Sequence, residues 1–147
     1  VCEAGSVKLI RNMESEIFSH VIHLVSDVNG KVRKDKRPID VLRSAFPAGT
    51  VSGAPKISAI EILSRLEKVK RNFYAGAVGY IDFSGNLDMC IAIRTLFAKG
   101  NKIYWQAGAG IVADSKPELE LKEIENKSAV LVSALKYAEV IDEDSCY

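Results

Sequence analysis

Cysteines are scarce in this sequence of 147 residues, and their placement excludes several kinds of site. The three cysteines, Cys2, Cys90 and Cys146, are odd in number and far apart, whereas zinc sites and redox pairs place cysteines close together. We therefore expect reduced thiols. No apolar run approaches the roughly 20 residues that a membrane span requires, and the first residues lack the basic-then-apolar order of a signal peptide. The prediction is a soluble cytoplasmic protein without membrane contact.

An excess of charge is also missing. The sequence has 20 Lys and Arg residues against 19 Asp and Glu residues, which gives a formal net charge of +1. Nucleic-acid binding through bulk electrostatics needs basic residues in excess on one face, so no nucleic-acid partner is predicted. The basic stretch at residues 31–37 is the single feature in favour of a nucleic-acid module, whose affinity would fall steeply with salt.

The pattern of apolar residues predicts an α+β fold, with antiparallel sheets and helices packed on their outer faces. Strands are predicted at residues 6–10, 17–28, 77–83, 87–98 and 102–112. Helices are predicted at residues 39–46, about 55–69 and about 117–138. The first two strands should have one better-buried face, and the last three should form an antiparallel meander. Pro47 should end the first helix, and Ser52 is a candidate cap for the second.

Three charged residues share one face of the last predicted helix. Glu120, Glu123 and Lys127 are spaced by three and four residues, so their side chains project side by side. Two carboxylates within one turn suit Mg²⁺, which binds a few carboxylate oxygens together with water and ligand oxygens, and further ligands would have to come from elsewhere. The alternative is a solvent-facing helix surface with an ion pair between Glu123 and Lys127.

Small residues precede that helix. Residues 106–111 place Gly108, Ala109 and Gly110 at the end of a predicted strand, where backbone amides can approach an anion such as a carboxylate. A bulge or a tight bend is the alternative explanation for glycine at this place. The stretch lacks the Gly-Lys-Ser/Thr ending of a P-loop, so ATP binding is not predicted.

Four polar residues elsewhere are candidates for ligand contacts. Arg94 lies among aliphatic neighbours, where a buried guanidinium would need a partner such as a ligand carboxylate, unless it simply faces solvent. His23, in an apolar strand, could act as a general acid or base, although a lone histidine there is more often structural. Thr50 and Lys56 could donate hydrogen bonds to an anion or merely help to form turns.

Together these segments resemble the chorismate-binding enzymes in their order and spacing. The segments that carry the resemblance are His23–Ser26, Pro47–Lys56, Ile91–Thr95 and Gln106–Ser115. The Gly-Thr-Val-Ser-Gly-Ala-Pro-Lys and Gln-Ala-Gly-Ala-Gly-Ile-Val motifs are highly specific, and the match covers nearly the whole chain.

The resemblance implies a role for each candidate residue. Glu120 and Glu123 are similar to Mg²⁺ ligands, and the metal would neutralise the ring carboxylate of chorismate and make the ring electrophilic. The residues similar to those that hold the carboxylates of the substrate are Tyr74, Arg94, Gly108, Ala109, Gly110 and Lys127. Thr50 is similar to a residue that lines the ring pocket. His23 is similar to one beside the ring, where it would assist departure of the ring hydroxyl and the later elimination of pyruvate.

Within that family, the segment Asp88–Thr95 most resembles anthranilate synthases of the component I type. Enzymes of this type convert chorismate and ammonia, supplied from glutamine by an amidotransferase partner subunit, into anthranilate and pyruvate in tryptophan biosynthesis. Aminodeoxychorismate synthases share nearly all of the motifs, and isochorismate and salicylate synthases share many, so these activities remain alternatives. The alternative from another class is a stand-alone, non-catalytic interaction domain.

The sequence begins at Val1, without an initiator methionine, inside a region that is predicted to be rich in β-structure. The resemblance implies that residues 1–147 are the carboxy-terminal portion of a larger catalytic domain, and that an amino-terminal half with a second pair of metal-binding glutamates is missing. We therefore expect this chain by itself to show no turnover and to bind Mg²⁺ weakly. It should also self-associate through the surface that the missing half would cover.

Overall fold

The chain folds as α+β in a computed structural model that describes residues 1–17 and 22–144. Its elements, in chain order, are β1 (Lys8–Ile17), β2 (Ile22–Asn29), α1 (Pro38–Ala45), α2 (Gly49–Ser52), α3 (Lys56–Leu66), β3 (Ala77–Ile81), β4 (Leu87–Ile91), β5 (Phe97–Lys99), β6 (Lys102–Tyr104) and α4 (Pro117–Asp144). The predicted fold class is confirmed. Within the described ranges, no helix combines the length and the hydropathy that crossing a membrane requires. Residues 18–21 of the second predicted strand and Cys146 lie outside those ranges.

The chain divides into two compact units. The first contains residues 1–45 and 81–86, and the second contains the remainder of the chain. That residues 1–147 are the carboxy-terminal portion of a larger catalytic domain stays a prediction.

Strands β1 and β2 form an antiparallel ribbon in the first unit, and β1 is longer than the sequence predicts. The register shifts twice, between Leu9 and Arg11 and between Arg11 and Glu14. Extra residues of this kind bend a strand and re-aim its side chains. As a result Arg11 lies opposite Asp27, and its guanidinium donates hydrogen bonds of 2.5 Å to the carboxylates of Asp27 and Glu16.

The other face of this ribbon is apolar. Leu9 lies opposite Val28 and Ile17 opposite Ile22, and Leu24 is on the same side because alternate residues of a strand share a face. All five side chains are exposed, from 55% for Leu9 to 80% for Ile17. The predicted better-buried face is present, but it is the opposite face, where Arg11, Glu16, Val25 and Asp27 are half-buried. Alternation identified the apolar side correctly, but nothing in the described part of the chain covers it.

Of the two short helices before α3, α1 ends one residue earlier than the sequence predicts, and α2 was not predicted. Helix α1 ends at Ala45, just before the segment that contains Pro47, as expected for a proline that disfavours helical geometry in the preceding residue. Ser52 does not cap α3, because it is itself helical, at the end of α2, and its hydroxyl donates to the Ala48 carbonyl oxygen at 3.0 Å. Pro55 precedes α3 without a side-chain cap, so the predicted cap is wrong.

The predicted three-stranded meander is wrong. In the second unit β5 pairs only with β6, and β3 pairs with β4, so there are separate two-stranded sheets in the described residues. The predicted strand 87–98 ends at Ile91, and the Ala92 N–H extends its pairing by one bond to the Gly76 carbonyl oxygen, at 2.7 Å. Arg94 then adopts a φ of 51°, in the left-handed region, which does not continue a strand.

Helix α4 begins at Pro117, as the helix-start residues predict, and extends to Asp144, beyond the predicted end. Few of the described residues are buried, and all of them belong to the second unit. They are Ser52, Ala75, Ala92 and Leu131. The small core of this unit therefore draws on α2, the residues that flank the β3–β4 pair, and α4.

Candidate functional site

Lys127 connects α4 to the glycine-containing segment that precedes this helix. Its ammonium group lies 2.5 Å from a carboxylate oxygen of Glu123 and donates to the carbonyl oxygen of Gly108 at 3.1 Å. The ion pair follows from the spacing of four residues. Because Lys127 also reaches Gly108 and is half-buried, the solvent-facing alternative does not hold for this residue. The face of α4 that carries Lys127 therefore adjoins the glycine segment at Gly108.

Tyr74 meets the same segment from another side. A Cβ atom at position 108 would come within 3.2 Å of the Tyr74 hydroxyl oxygen, so a glycine leaves room for this contact. Tyr74 lies in a turn before β3, where its N–H bonds the carbonyl oxygen of Arg71 at 2.9 Å. The structure thus brings together four of the predicted residues, which are Tyr74, Gly108, Glu123 and Lys127.

The segment with Gly108, Ala109 and Gly110 is a loop and not the end of a strand. Strand β6 ends at Tyr104, and residues 105–110 have no regular secondary structure, which corrects the predicted strand 102–112. Gly108 and Ala109 are half-buried, whereas Gly110 is exposed and a Cβ atom there would meet nothing within 4 Å. A close approach therefore explains the glycine at position 108 but not the one at position 110.

Glu120 and Glu123 lie in the first two turns of α4. Glu120 is half-buried, and Glu123 is exposed and paired with Lys127. No group of three or more His, Cys, Asp and Glu side chains converges in the part of the chain that the structure describes. Mg²⁺ often binds one or two protein carboxylates and completes its shell with water and ligand oxygens. The two glutamates therefore fit part of a magnesium shell, in which Lys127 would compete with the metal for Glu123.

Arg71 and Glu67 were not identified from the sequence, yet they lie beside Tyr74. Arg71 donates from Nε and Nη2 to the Glu67 carboxylate, at 2.8 and 2.6 Å, and from Nη1 to the Val51 carbonyl oxygen at 2.7 Å. The hydrogen bonds from Arg71 lower the pKa of Glu67, and those to Glu67 raise the pKa of Arg71. Their i,i+4 spacing indicates an ion pair, but the contact with Val51 spans 20 residues and leaves no local pattern.

Two clefts adjoin these side chains. One has a volume of about 360 Å³ and lies among side chains of α2, α3 and the turn before β3, and the other, of about 300 Å³, extends to Gln106 and Ala107. Glu67, Arg71 and Tyr74 line both clefts. Their volumes are at the lower end of the range of small-molecule sites.

Thr50 and Arg94 are exposed positions of the second unit. Thr50 lies in α2, directly before Val51, whose carbonyl oxygen accepts the hydrogen bond from Arg71. Arg94 follows β4 in the left-handed conformation described above. Its exposure agrees with the solvent-facing alternative, and a role in holding a ligand carboxylate stays a prediction. Lys56 is the half-buried first residue of α3.

His23 belongs to the first unit. It is exposed on β2, opposite Glu16, and faces the side of the ribbon that carries Asp27. There the hydrogen bond from Arg11 lowers the pKa of the Asp27 carboxyl. The apolar sequence neighbours of His23 do not bury it, because Leu24 points to the opposite face. A proton-transfer role for His23 stays a prediction.

The ion pair between Glu67 and Arg71 should make stability depend on pH in the acidic range. The pKa of Glu67 is lower in the folded chain than its ordinary value of 4.5, so the pair stabilises the fold above that pH and is lost as the pH falls through the lowered pKa. Because both side chains are partly exposed, the contribution should stay below about 1 kcal/mol. Thermal midpoints at pH 5 and at pH 3 test this.

Glu67→Gln is the matched variant, because its amide has nearly the same size but does not titrate. We expect the loss of thermal midpoint on acidification to be smaller in Glu67→Gln than in the unchanged chain, by up to about 3 °C. Other carboxylates, such as that of Asp27, titrate equally in both proteins and cancel in the comparison. Identical losses in the two proteins would show that the pair contributes nothing measurable.

The chain is similar to known proteins over most of its length. The chain matches a family model described as chorismate binding enzyme over residues 1–133. The anthranilate synthase component 1 of Acetivibrio thermocellus is 53% identical over 138 residues, which cover 94% of this chain and 28% of that protein. The chain therefore spans less than a third of the length of this curated relative.

Two solved structures share the fold. Anthranilate synthase component I from Streptococcus pneumoniae TIGR4 superposes with a TM-score of 0.83 at 46% identity, covering 86% of this chain and 29% of that one. A putative 2,3-dihydroxybenzoate-specific isochorismate synthase from Bacillus anthracis also gives a TM-score of 0.83, at 27% identity, covering 92% of this chain and 36% of that one.

Proposed function

This chain belongs to the chorismate-binding enzyme family, and we propose that it is the carboxy-terminal portion of an anthranilate synthase component I. The proposed whole enzyme converts chorismate and ammonia into anthranilate and pyruvate, as a step of tryptophan biosynthesis in the cytoplasm. Its ammonia comes from glutamine through an amidotransferase subunit. The identity of 53% with an anthranilate synthase component 1, against 27% with an isochorismate synthase, supports this choice over an isochorismate synthase.

The observation that carries the proposal is the position of Lys127. Its bonds to Glu123 and to the Gly108 carbonyl oxygen bring an acidic helix face, a glycine loop and the hydroxyl of Tyr74 to one place. A substrate with two carboxylates requires cations and hydrogen-bond donors close to a metal-binding group, and these residues supply them. A non-catalytic interaction domain gives no reason for this convergence.

The residues of this chain would act mainly by binding and orienting the substrate. Lys127 and the hydroxyl of Tyr74 can donate to a carboxylate, as can the guanidinium of Arg94. Bound at Glu120 and Glu123, Mg²⁺ would neutralise a carboxylate of the substrate and make the ring electrophilic. Two protein carboxylates are only part of such a shell, so the proposal includes further ligands from the rest of the enzyme.

Thr50 and His23 complete the set of residues in the proposal. Thr50 would line the ring pocket from α2, and His23 would lie beside the ring, where it assists departure of the hydroxyl and elimination of pyruvate. An imidazole titrates near neutral pH and can exchange a proton at that position.

A segment exchange tests the proposed function. In a hybrid protein, this chain replaces the matching segment of the Acetivibrio thermocellus anthranilate synthase component 1, so that the relative supplies everything outside that segment. With chorismate, ammonium and Mg²⁺, the hybrid should form anthranilate, which its fluorescence detects. The isolated chain, measured in parallel, should form none, because it holds only part of the magnesium shell.

The products distinguish the alternatives. A folded hybrid that releases isochorismate, salicylate or aminodeoxychorismate would assign the chain to a neighbouring activity of the family. A folded hybrid that binds neither chorismate nor Mg²⁺ would favour the interaction domain. Detectable anthranilate formation by the isolated chain would contradict the expectation that it is inactive by itself.

A further inference from the structure

Arg71 contacts three separate segments of the second unit. Its guanidinium forms a two-point ion pair with Glu67, directly after α3, and donates from Nη1 to the Val51 carbonyl oxygen in α2 at 2.7 Å. Its Cζ atom lies 5.8 Å from the centre of the Tyr74 ring. The side chain of Arg71 is 28% exposed, so much of it is enclosed by these contacts.

The contacts use the shape of the guanidinium group. A guanidinium presents donors in a rigid plane, so one edge can bind a carboxylate while the remaining donors reach a second acceptor. In Arg71 the Nε and Nη2 edge holds Glu67, and Nη1 is left for Val51. The guanidinium carbon of Arg71 lies over the ring of Tyr74, where a cation is attracted to the π electrons.

The segments that Arg71 joins both carry proposed substrate contacts. Val51 directly follows Thr50, so a hydrogen bond that fixes the Val51 carbonyl also fixes the helical turn that presents Thr50. Tyr74 places its hydroxyl against Gly108 on the other side of Arg71. Arg71 thus links the helical turn that presents Thr50 to the cluster of Tyr74, Gly108 and Lys127.

We propose that Arg71 is a positioning residue of the active site, which fixes Thr50 and Tyr74 relative to each other; this inference rests on the proposed function. Arg71 acts through these neighbours and not as a substrate ligand, because its charge is already neutralised by the Glu67 carboxylate. Glu67 in turn holds the guanidinium in the orientation that Val51 requires.

Two substitutions in the hybrid protein test this role. Arg71→Gln removes the guanidinium group with its planar set of donors. Arg71→Lys keeps the charge but offers a single ammonium group, which cannot bond Glu67 and Val51 in the same geometry. A displacement of about 1 Å in a substrate contact can lower the rate by about 100-fold, and we expect a loss of kcat/KM of about that size for Arg71→Gln. Arg71→Lys should remain impaired. Arg65→Gln, at an exposed arginine of α3, is the matched control and should retain full activity.

Hydrogen exchange supplies a second measurement that does not depend on turnover. The amides of α2 and its cap are bonded within the segment, for example from Ser52 N–H to the Ala48 carbonyl oxygen at 3.2 Å and from Gly53 N–H to the Gly49 carbonyl oxygen at 2.7 Å. If Arg71 holds this turn, residues 48–53 should exchange faster in Arg71→Gln than in the parent hybrid, while α4 keeps its protection. The control Arg65→Gln should leave both segments unchanged.

The outcomes separate the two proposals. Full restoration of kcat/KM by Arg71→Lys would overturn the positioning role. So would unchanged kcat and KM in the folded fraction of both Arg71 variants. In either case, an active parent hybrid upholds the proposed function. If the parent hybrid is inactive, the proposed function fails, and the exchange data still decide about Arg71. In that case unchanged protection of residues 48–53 in Arg71→Gln overturns the positioning role.

Discussion

Replacement of Glu123 by Gln in the hybrid protein is expected to lower anthranilate formation by about a thousandfold, and Glu120→Gln should have an effect of the same order. A metal ion stabilises the charge of a transition state by several kcal/mol, and each 1.4 kcal/mol corresponds to a factor of ten in rate. Both substitutions keep the size of the side chain and remove only its charge. The Mg²⁺ concentration for half-maximal rate should rise in both variants, and an excess of Mg²⁺ should restore part of the activity.

Glu125→Gln is the matched control for these two substitutions. It lies on the same helix and removes the same charge, but two residues after Glu123 it projects from a different face. Rates and Mg²⁺ dependence should therefore stay close to those of the parent hybrid. If Glu120→Gln and Glu123→Gln behave like this control, the acidic face of α4 is only a solvated surface, and the magnesium assignment fails with it.

The two target residues should differ in one respect. Glu123 is paired with Lys127, which also holds the Gly108 carbonyl oxygen, so Glu123→Gln releases the ammonium group as well as removing a metal ligand. We therefore expect Glu123→Gln to raise the KM for chorismate more than Glu120→Gln does. Steady-state kinetics at saturating Mg²⁺ separate this effect from the loss of the metal.

Local rules predicted much of the secondary structure. The start of α4 at Pro117 and the end of α1 before Pro47 follow from the geometry of proline, and the ion pair of Glu123 with Lys127 follows from helical spacing. These features depend on residues a few positions apart. They could therefore be identified in the sequence without knowledge of the tertiary structure.

The errors arose where distant residues decide the structure. The predicted strand 87–98 fails because Arg94 turns to a positive φ, which apolar alternation does not indicate. The bond from Arg71 to Val51 was missed for the same reason. Periodicity shows which side chains share a face, but it does not show what covers that face.

The apolar face of the β1–β2 ribbon leads to the second large prediction. The five apolar side chains on this face are each more than half exposed. An isolated two-stranded ribbon is also only marginally stable in water, and exposed apolar patches promote association. We therefore expect the isolated chain to self-associate.

The double substitution Ile22→Lys and Leu24→Lys should weaken this association by about a thousandfold. Both residues are on the apolar face, with exposed fractions of 69% and 64%, and burial of such a side chain contributes about 1.5 to 3 kcal/mol. Two of them therefore account for at least about two to four powers of ten in the dissociation constant, since 1.4 kcal/mol is a factor of ten. Sedimentation velocity over a wide range of protein concentration measures the shift from associated to monomeric chain.

A control variant with the same change in net charge separates the loss of apolar burial from repulsion between the added charges. Glu14→Lys changes the net charge by the same amount as the double substitution, but Glu14 lies opposite Val25, on the other face of the ribbon. If association is driven by the apolar face, Glu14→Lys should associate nearly as well as the unchanged chain, since exposed charges are screened at physiological salt. If Glu14→Lys dissociates the chain as effectively as the double substitution, general repulsion explains the effect. The apolar face of β1 and β2 would then not be the surface through which the chain associates.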